Sequence, residues 1–357
     1  MATLFMKLIT ISFMLSACTK QHDKLIINDG TAPSGIESSA SKNISSAKAP
    51  PSVISYLTGS GSDVTTNAIG GLLLMGGSTD VDAAMQWFLQ RAAGGDVVVI
   101  RATGADGYNT YMYNMVPVNS VETIIIDSRA KADLIAVADK IRNAEAVFIA
   151  GGDQWDYVNY WKNSATEDAI NYVINTKKIT VGGTSAGLAI LGSAYYSAQT
   201  GSVTSAQALA NPYHRYVTIG QNDFIAAPNL ANTITDSHYT QRDRQGRHIT
   251  FLARLMKDFA YTSVKGIGVD EQTAVCIDET GMGKVYGFNN AYFLKNTNSG
   301  PETCISGTPL TWNRSGTAVS AYKIQASNTG NGLFNSTNWT FSGGISYNYY
   351  VNNGVLF

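Results

Sequence analysis

Short apolar runs that end in paired glycines constrain the fold of this sequence more than any other feature. Residues 70–77, 146–152 and 179–183 each contain such a run, rich in Leu, Val and Ile. Residues 81–89 and 131–143 carry apolar side chains at the spacing of amphipathic helices. Apolar strands that alternate with such helices are typical of a parallel sheet covered on both faces. The sequence therefore predicts a doubly wound, mostly parallel α/β sheet with helices on both faces.

The glycine-rich strand ends also predict where a functional site lies. In open α/β sheets, ligands bind beyond the carboxyl ends of the strands. The glycines at 76–77, 151–152 and 183–187 all fall at such ends. The polar residues 78–80, Ser-Thr-Asp, are expected to cap the helix that follows the first of these strands.

One of these strand ends has the pattern of a nucleophile elbow. Ser185 lies between Gly183 and Gly187, and a sharp strand-to-helix turn needs such small neighbours because its backbone is crowded. The helix after the turn would direct its free N–H groups toward an oxyanion formed at the serine. The same pattern is also compatible with a glycine-rich turn in which the serine only caps the helix.

A second polar segment stands out in a chain that has only 14% charged residues. His238 follows Asp236 closely, and three arginines come next at Arg242, Arg244 and Arg247. Guanidinium groups bind carboxylates with two parallel hydrogen bonds, so an arginine cluster near a catalytic serine predicts a site for acidic groups. The alternative is the solvated start of a helix with internal ion pairs.

Taken together, these motifs resemble the cyanophycinase and dipeptidase E family of serine peptidases, whose fold is that of class I glutamine amidotransferases. The resemblance covers about residues 68–325, and its markers are residues 150–154, 183–187, 236–247 and 266–274. It implies a serine exopeptidase that cleaves aspartyl-type peptides through an acyl-enzyme and needs no cofactor. The implied substrates are peptides rich in aspartate, including the arginyl-aspartate polymer cyanophycin.

The resemblance also implies roles for individual residues. Ser185 corresponds to the nucleophile and His238 to its base, while the N–H groups of Gly152 and Ala186 correspond to the oxyanion hole. Ser237 stands where the family usually has glutamine. The implied substrate pocket consists of Gln154, Asp236, Arg242, Arg244 and Arg247.

The third member of a catalytic triad is not evident from the sequence. The resemblance implies a carboxylate between the serine and the histidine, yet residues 186–222 contain no Asp or Glu. The candidates are Asp223, a neutral oxygen of Gln199 or Gln207, or no residue at all. An impaired triad makes a slow enzyme or a peptide-binding protein of the same fold the alternative function. An esterase of the α/β-hydrolase type is disfavoured, since no lipase-type oxyanion glycine motif is present.

The N-terminal segment predicts export. An apolar run at residues 8–17 precedes Cys18 and is far shorter than the roughly 20 residues of a membrane span. It resembles a bacterial lipoprotein signal peptide (1–18) with Cys18 acylated, and a plain signal peptide or a buried strand are the alternatives. Residues 19–67, rich in Ser, Ala and Pro, are predicted to be a flexible tether. A membrane-anchored protein of the periplasm or cell surface is expected.

The composition restricts the classes of partner and cofactor that the sequence predicts. A net charge of -1 without a basic block argues against nucleic acid, and the four histidines and three cysteines have no metal-ligand spacing. In an oxidising compartment Cys276 and Cys304 could form a disulfide or remain free thiols. Residues 326–357 are predicted to be a β-rich C-terminal extension outside the peptidase domain (68–325). The sequence leaves the oligomeric state open.

Overall fold

The computed structural model describes residues 24–27, 51–297 and 299–357 of the chain. Its strands are Lys24–Ile27 (β1), Val53–Gly59 (β2), Gly71–Met75 (β3), Asp96–Arg101 (β4), Ser120–Ile125 (β5), Ala146–Ile149 (β6), Thr180–Thr184 (β7), Ala194–Tyr196 (β8), Ile219–Gln221 (β9), Thr233–Asp236 (β10), Lys265–Val269 (β11), Thr273–Asp278 (β12), Met282–Gly287 (β13), Asn290–Asn296 (β14), Val319–Gln325 (β15), Asn331–Asn335 (β16), Thr340–Ser342 (β17), Ile345–Tyr349 (β18), Val351–Asn352 (β19) and Val355–Leu356 (β20).

The α-helices are Asp82–Gln90 (α1), Asn109–Tyr113 (α2), Arg129–Ala132 (α3), Ile135–Asn143 (α4), Gln154–Trp161 (α5), Ala165–Tyr172 (α6), Ala186–Ala189 (α7), Ser205–Ala210 (α8) and Gln245–Asp258 (α9). A π-helical turn at Val173–Lys177 extends α6, and a short 3₁₀ helix lies at Pro228–Leu230.

The strands form two large sheets. The first has the order β1-β2-β5-β4-β6-β7-β3-β12-β13-β16-β17, and its five central strands, β5 to β3, are parallel. The predicted α/β sheet is therefore confirmed at the centre, with antiparallel strands on both sides. The second sheet has the order β18-β15-β14-β11-β10-β8-β9. A small hairpin of β19 and β20 completes the described strands.

Helices cover both faces of the first sheet because alternate side chains of each strand point to opposite faces. Leu73 of β3 packs in one cluster with Phe88 of α1. Leu72 and Leu74 pack in another, with Val137 of α4. All of these side chains are almost completely buried, and each such burial contributes about 1.5–3 kcal/mol relative to exposure. The apolar strand runs are thus explained by burial on both faces.

Two local predictions about helices were wrong. The predicted helix over residues 131–143 is two helices, because Leu134 adopts an extended conformation between α3 and α4 while its side chain packs against the core. The polar residues 78–80 do not cap α1, whose N-terminal flanking residue is Val81 with no side-chain capping bond. The side chain of Asp80 is therefore left for another role.

The tether prediction does not hold where the chain is described before residue 68. Strand β2 pairs with β5 over six residue pairs and also with β1, and Val53 at its start is fully buried. Residues 28–50 and the predicted signal peptide with Cys18 lie outside the described residues. No helix in the described ranges is both long and apolar enough to cross a membrane.

The C-terminal segment is built into both sheets. β16 and β17 continue the first sheet from β13, whereas β18 pairs with β15 in the second. Phe334 and Phe341 stack on each other beside Phe293 of β14. Cys276 and Cys304 are both buried and free, and they lie in different apolar clusters. Within residues 24–27, 51–297 and 299–357, no group of His, Cys, Asp and Glu could hold a metal ion.

Candidate active site

Ser185 lies directly after β7, in the turn to α7. Its backbone φ is 53° with ψ of -111°, a conformation that a non-glycine residue adopts only when its surroundings enforce it. The flanking glycines allow the turn. A Cβ on Gly183 would lie 2.5 Å from the carbonyl carbon of Gly187, and one on Gly187 would lie 2.1 Å from the oxygen of Ile149. The predicted strand, turn and helix are all present.

The hydroxyl of Ser185 is directed at a histidine and does not cap the helix. Its Oγ lies 2.7 Å from Nε2 of His238, and the serine makes no side-chain capping bond to α7. Helix α7 is a single turn, so its dipole is weaker than that of a helix of several turns. The alternative of a merely capping serine is therefore not what the structure contains.

His238 follows β10 and is held from three sides. Its backbone N–H donates to the carbonyl of Gly76, in the loop after β3, at 2.8 Å. Nδ1 lies 2.7 Å from Oε1 of Glu271. A Cβ on Gly77 would come within 2.6 Å of Nε2, so glycine is required for the loop to pass this close to the imidazole.

Glu271 is the third member of the hydrogen-bonded series. It lies between β11 and β12, where the chain passes from the second sheet to the first. An ionised carboxylate only accepts hydrogen bonds, so Nδ1 carries the proton and Nε2 is left to accept from Ser185. The loop is fixed because the Glu271 N–H donates to Gln241 and its carbonyl accepts from Asn289.

The expectation of an acid between serine and histidine was therefore wrong. Asp223 accepts a hydrogen bond from Tyr195 and forms an ion pair with Lys162. Gln207 completes the capping box of α8 with Thr204. The sequence signal that points to Glu271 is the family marker at residues 266–274, which contains it.

The electrostatic environment keeps His238 able to act as a base. Burial lowers the pKa of the imidazole below its usual value of 6.5. The hydrogen bond with Glu271 acts in the opposite direction, and the charges of Arg242 and Arg244 lower the pKa further. Because the net direction is downward, the imidazole is neutral at pH 7 and can accept the serine proton.

The predicted oxyanion residues follow the ends of two neighbouring strands, β6 and β7. Ala186 follows Ser185 directly. Gly152 is exposed after β6 and follows Gly151, where an added Cβ would be 3.5 Å from the Cβ of Ser185. Tyr157 fixes this strand end, since its hydroxyl donates to the carbonyl of Ala150 at 2.8 Å.

Two of the predicted pocket residues form a buried ion pair. Asp236 and Arg247 are each 2% exposed, and Arg247 donates from Nε at 2.8 Å and from Nη2 at 2.6 Å to the two carboxylate oxygens. Burial alone would raise the pKa of Asp236, but the charges of Arg247 and Arg244 outweigh it and lower the pKa. The Arg247 guanidinium also lies over the ring of Tyr196 at 5.0 Å.

This pairing corrects the predicted roles of the pocket residues. Asp236 and Arg247 satisfy each other and are not open to a substrate, so their role is structural. Arg244 donates to Asp236 and to the carbonyl of Ser237 and stays half-buried. Arg242 is the exposed arginine, 3.9 Å from Glu271. Gln154 is half-buried, and its amide donates to the carbonyl of Tyr196 at 3.3 Å.

Comparisons with known proteins identify the family of this chain. Residues 72–285 match the model of peptidase family S51. The chain is 24% identical over 226 residues to a cyanophycinase of Synechococcus elongatus, a match that covers 60% of this chain and 65% of the relative. It is 26% identical over 168 residues to a cyanophycinase of Trichormus variabilis, which covers 47% of this chain and 50% of the relative.

The matched part of the chain thus spans between half and two thirds of the length of these curated relatives. A solved structure of a peptidase from an acI-B1 actinobacterium aligns with 73% of this chain and 96% of its own, at 14% identity and a TM-score of 0.45.

Proposed function

Because the chain belongs to peptidase family S51, we propose that it is a serine exopeptidase that hydrolyses aspartyl-type peptides. The observation that carries this proposal is the hydrogen-bonded series from Ser185 through His238 to Glu271, with both links at 2.7 Å. A serine hydroxyl is a weak nucleophile unless a base accepts its proton, and the base needs a group that fixes its tautomer.

The reaction follows from these contacts. Nε2 of His238 accepts the proton of Ser185 while Oγ attacks the peptide carbonyl, and the N–H groups of Gly152 and Ala186 stabilise the oxyanion. Glu271 stabilises the imidazolium that forms. His238 then donates its proton to the leaving amine, which breaks the peptide bond and leaves an acyl-enzyme. Water, activated by the same imidazole, releases the acid.

The substrate class rests on charge around the serine and on the relatives. Arg242 is exposed and Arg244 is half-buried next to His238, and their guanidinium groups suit carboxylates of an aspartate-rich peptide. Both curated relatives described above bear the name cyanophycinase. An arginyl-aspartate polymer is accordingly the first substrate to test, followed by β-aspartyl dipeptides.

The test is to incubate the purified protein with cyanophycin and with β-aspartyl peptides and to measure released dipeptide by mass spectrometry. Ser185→Ala provides the matched control, since it keeps the site and removes only the nucleophile. We expect release by the wild type alone. Binding without release by the wild type would instead support the non-catalytic peptide-binding protein.

Export and anchoring form a separate proposal. The apolar run before Cys18 supports a lipoprotein that is acylated at this cysteine and held at a bacterial membrane. Because stable anchoring needs more than one acyl chain, Cys18→Ser should move the protein from the membrane fraction to the soluble fraction. Unchanged partitioning of this variant contradicts the proposal.

A further inference from the structure

The loop after β3 places a further carboxylate near the nucleophile. This loop touches the catalytic residues at Gly77, where an added Cβ would lie 3.1 Å from the Cβ of Ser185. Three residues later, Asp80 is half-buried, and its carboxyl group lies beside the hydroxyls of Tyr108 and Thr184. Thr184 is the residue immediately before the nucleophile. Asp80 thus lines the same strand ends as Ser185.

Asp80 has no cationic partner. In the part of the chain that the structure describes, no Lys, Arg or His nitrogen lies within 4.0 Å of its carboxylate. Arg101, at the end of β4 in the same sheet, donates to backbone carbonyls of its own loop, including that of Ala105 at 3.0 Å. Asp80 does not cap α1 either. Burial raises the pKa of this carboxyl, as expected for an acid that lacks a countercharge.

The neighbouring Thr184 supplies an independent observation. Its side chain is 4% exposed, and its Oγ1 is buried without a hydrogen-bond partner. Its methyl group faces Gly151, since a Cβ there would lie 3.8 Å from Cγ2, while its hydroxyl lies on the side of Asp80. A buried polar atom without a partner is uncommon in native proteins. A hydrogen-bond donor bound next to Asp80 would give a partner to both the Asp80 carboxylate and the Thr184 hydroxyl.

Asp80 and Asp236 therefore differ in whether they have a cationic partner. Asp236 already binds two guanidinium groups, whereas the groups beside Asp80 are the hydroxyls of Tyr108 and Thr184 and the carboxylate of Asp82, none of which is cationic. A peptide at Ser185 that carries a cationic group would provide the missing charge.

We propose that Asp80, with the hydroxyls of Tyr108 and Thr184, forms a subsite that binds a cationic nitrogen group of the peptide substrate. The group is a side-chain guanidinium or ammonium, or the α-ammonium of the peptide. The subsite lies beside the nucleophile and is separate from the Asp236 ion pair. This assignment rests on the proposed peptidase function, because it requires a peptide bound at Ser185.

The experiment compares matched peptides that differ only in charge. One pair has arginine or citrulline in an aspartyl peptide, and a second pair has a free or an acetylated N-terminus. The proteins are the wild type, Asp80→Asn and, as a matched control, Asp139→Asn, because Asp139 is exposed on α4 and pairs with Arg142. We expect the wild type to prefer one cationic peptide by about 10- to 100-fold in kcat/KM.

The Asp80→Asn variant should lose that preference and keep the wild-type rate on the neutral peptide, whereas Asp139→Asn should behave as the wild type. The pair that shows the preference identifies the side-chain cation or the α-ammonium as the group bound. A preference retained in Asp80→Asn overturns the subsite, and so does an equal loss on charged and neutral peptides, since a general structural defect would explain it.

Failure of the peptidase function is distinguishable from failure of the subsite. If the wild type cleaves none of these peptides, their binding is measured by calorimetry with the same three proteins. Tighter binding of a cationic peptide that is lost in Asp80→Asn then supports the subsite in a non-catalytic protein. Equal binding of charged and neutral peptides, or no binding of any, overturns it.

Discussion

Glu271 and Asp236 are two carboxylates on opposite sides of His238 in the chain, and their surroundings differ. The side chain of Asp236 is 3% exposed and is held by two arginines. The side chain of Glu271 is 25% exposed, accepts from His238 and has only the exposed Arg242 at its edge. A saturated carboxylate fixes structure. A carboxylate with one main partner can stabilise that partner when it gains a positive charge.

This difference separates stability from catalysis around one site. Removing one member of a buried ion pair leaves an uncompensated charge, which costs about 3–5 kcal/mol. Loss of the Glu271 charge leaves no buried cation behind, because the neighbouring imidazole is neutral at pH 7 and Arg242 is 55% exposed. Variants of the triad should therefore lose turnover, whereas variants of the ion pair should lose stability.

The largest effect is expected for Ser185→Ala. Loss of the nucleophile should reduce kcat by about 10⁴- to 10⁶-fold, leaving the contribution of the oxyanion hole and of substrate binding. The melting temperature should not fall, because the serine hydroxyl is hydrogen-bonded to His238 and its replacement by a hydrogen atom removes little packing contact. Single-turnover kinetics and thermal unfolding measure the two quantities. Turnover near the wild-type rate would remove Ser185 from the mechanism.

Glu271→Gln should come next. An amide can still accept from Nδ1 or force the wrong tautomer, and a comparable change of a triad acid costs about 10⁴ in kcat. The matched control is Asp223→Asn, which removes a carboxylate tied to Lys162 and Tyr195 and should keep full activity. A collapse of activity in Asp223→Asn together with an active Glu271→Gln would reverse the assignment of the third triad member.

The sequence predicted the serine and histidine better than their partner. The serine lies in a short local motif, whereas the partner is brought to the histidine by a contact that is distant in sequence. The elbow around Ser185 is a steric pattern readable from five residues. Glu271 lies 33 residues beyond His238 and reaches it because β10 and β11 are parallel neighbours in the second sheet. A search confined to the chain between serine and histidine could not find it.

The pairing of the arginines and the outer strands of the sheet were also difficult to predict from local sequence. The sequence shows three arginines after His238, but only the structure shows that Arg247 is committed to Asp236. The central parallel sheet was predictable because its strands are continuously apolar. Strand β2 was missed because only alternate residues at its start, Val53 and Ser55, are buried and the preceding segment is polar.

Asp236→Asn tests the other half of the comparison. It leaves Arg247 buried without its anionic partner, so we expect the free energy of unfolding to fall by about 3–5 kcal/mol. Urea titration measures this change, with Glu271→Gln as the control that should lose less than about 1 kcal/mol. If both variants are equally stable, the two carboxylates do not differ in the way their burial indicates.

The smallest effect concerns Arg242 and pH. Activity requires neutral His238, so kcat/KM falls as the pH drops through the pKa of this imidazole. The Arg242 charge lowers that pKa; Arg242→Gln should therefore raise it, and the acidic limb of the pH profile should move to higher pH. Because the Arg242 side chain is 55% exposed, salt screens its charge, and at 1 M NaCl the two profiles should converge. In Glu271→Gln, the acidic limb of the remaining activity should move to lower pH, since the hydrogen bond with the Glu271 carboxylate raises the pKa of His238 in the wild type. A limb that moves to lower pH in Arg242→Gln contradicts the electrostatic role of this arginine.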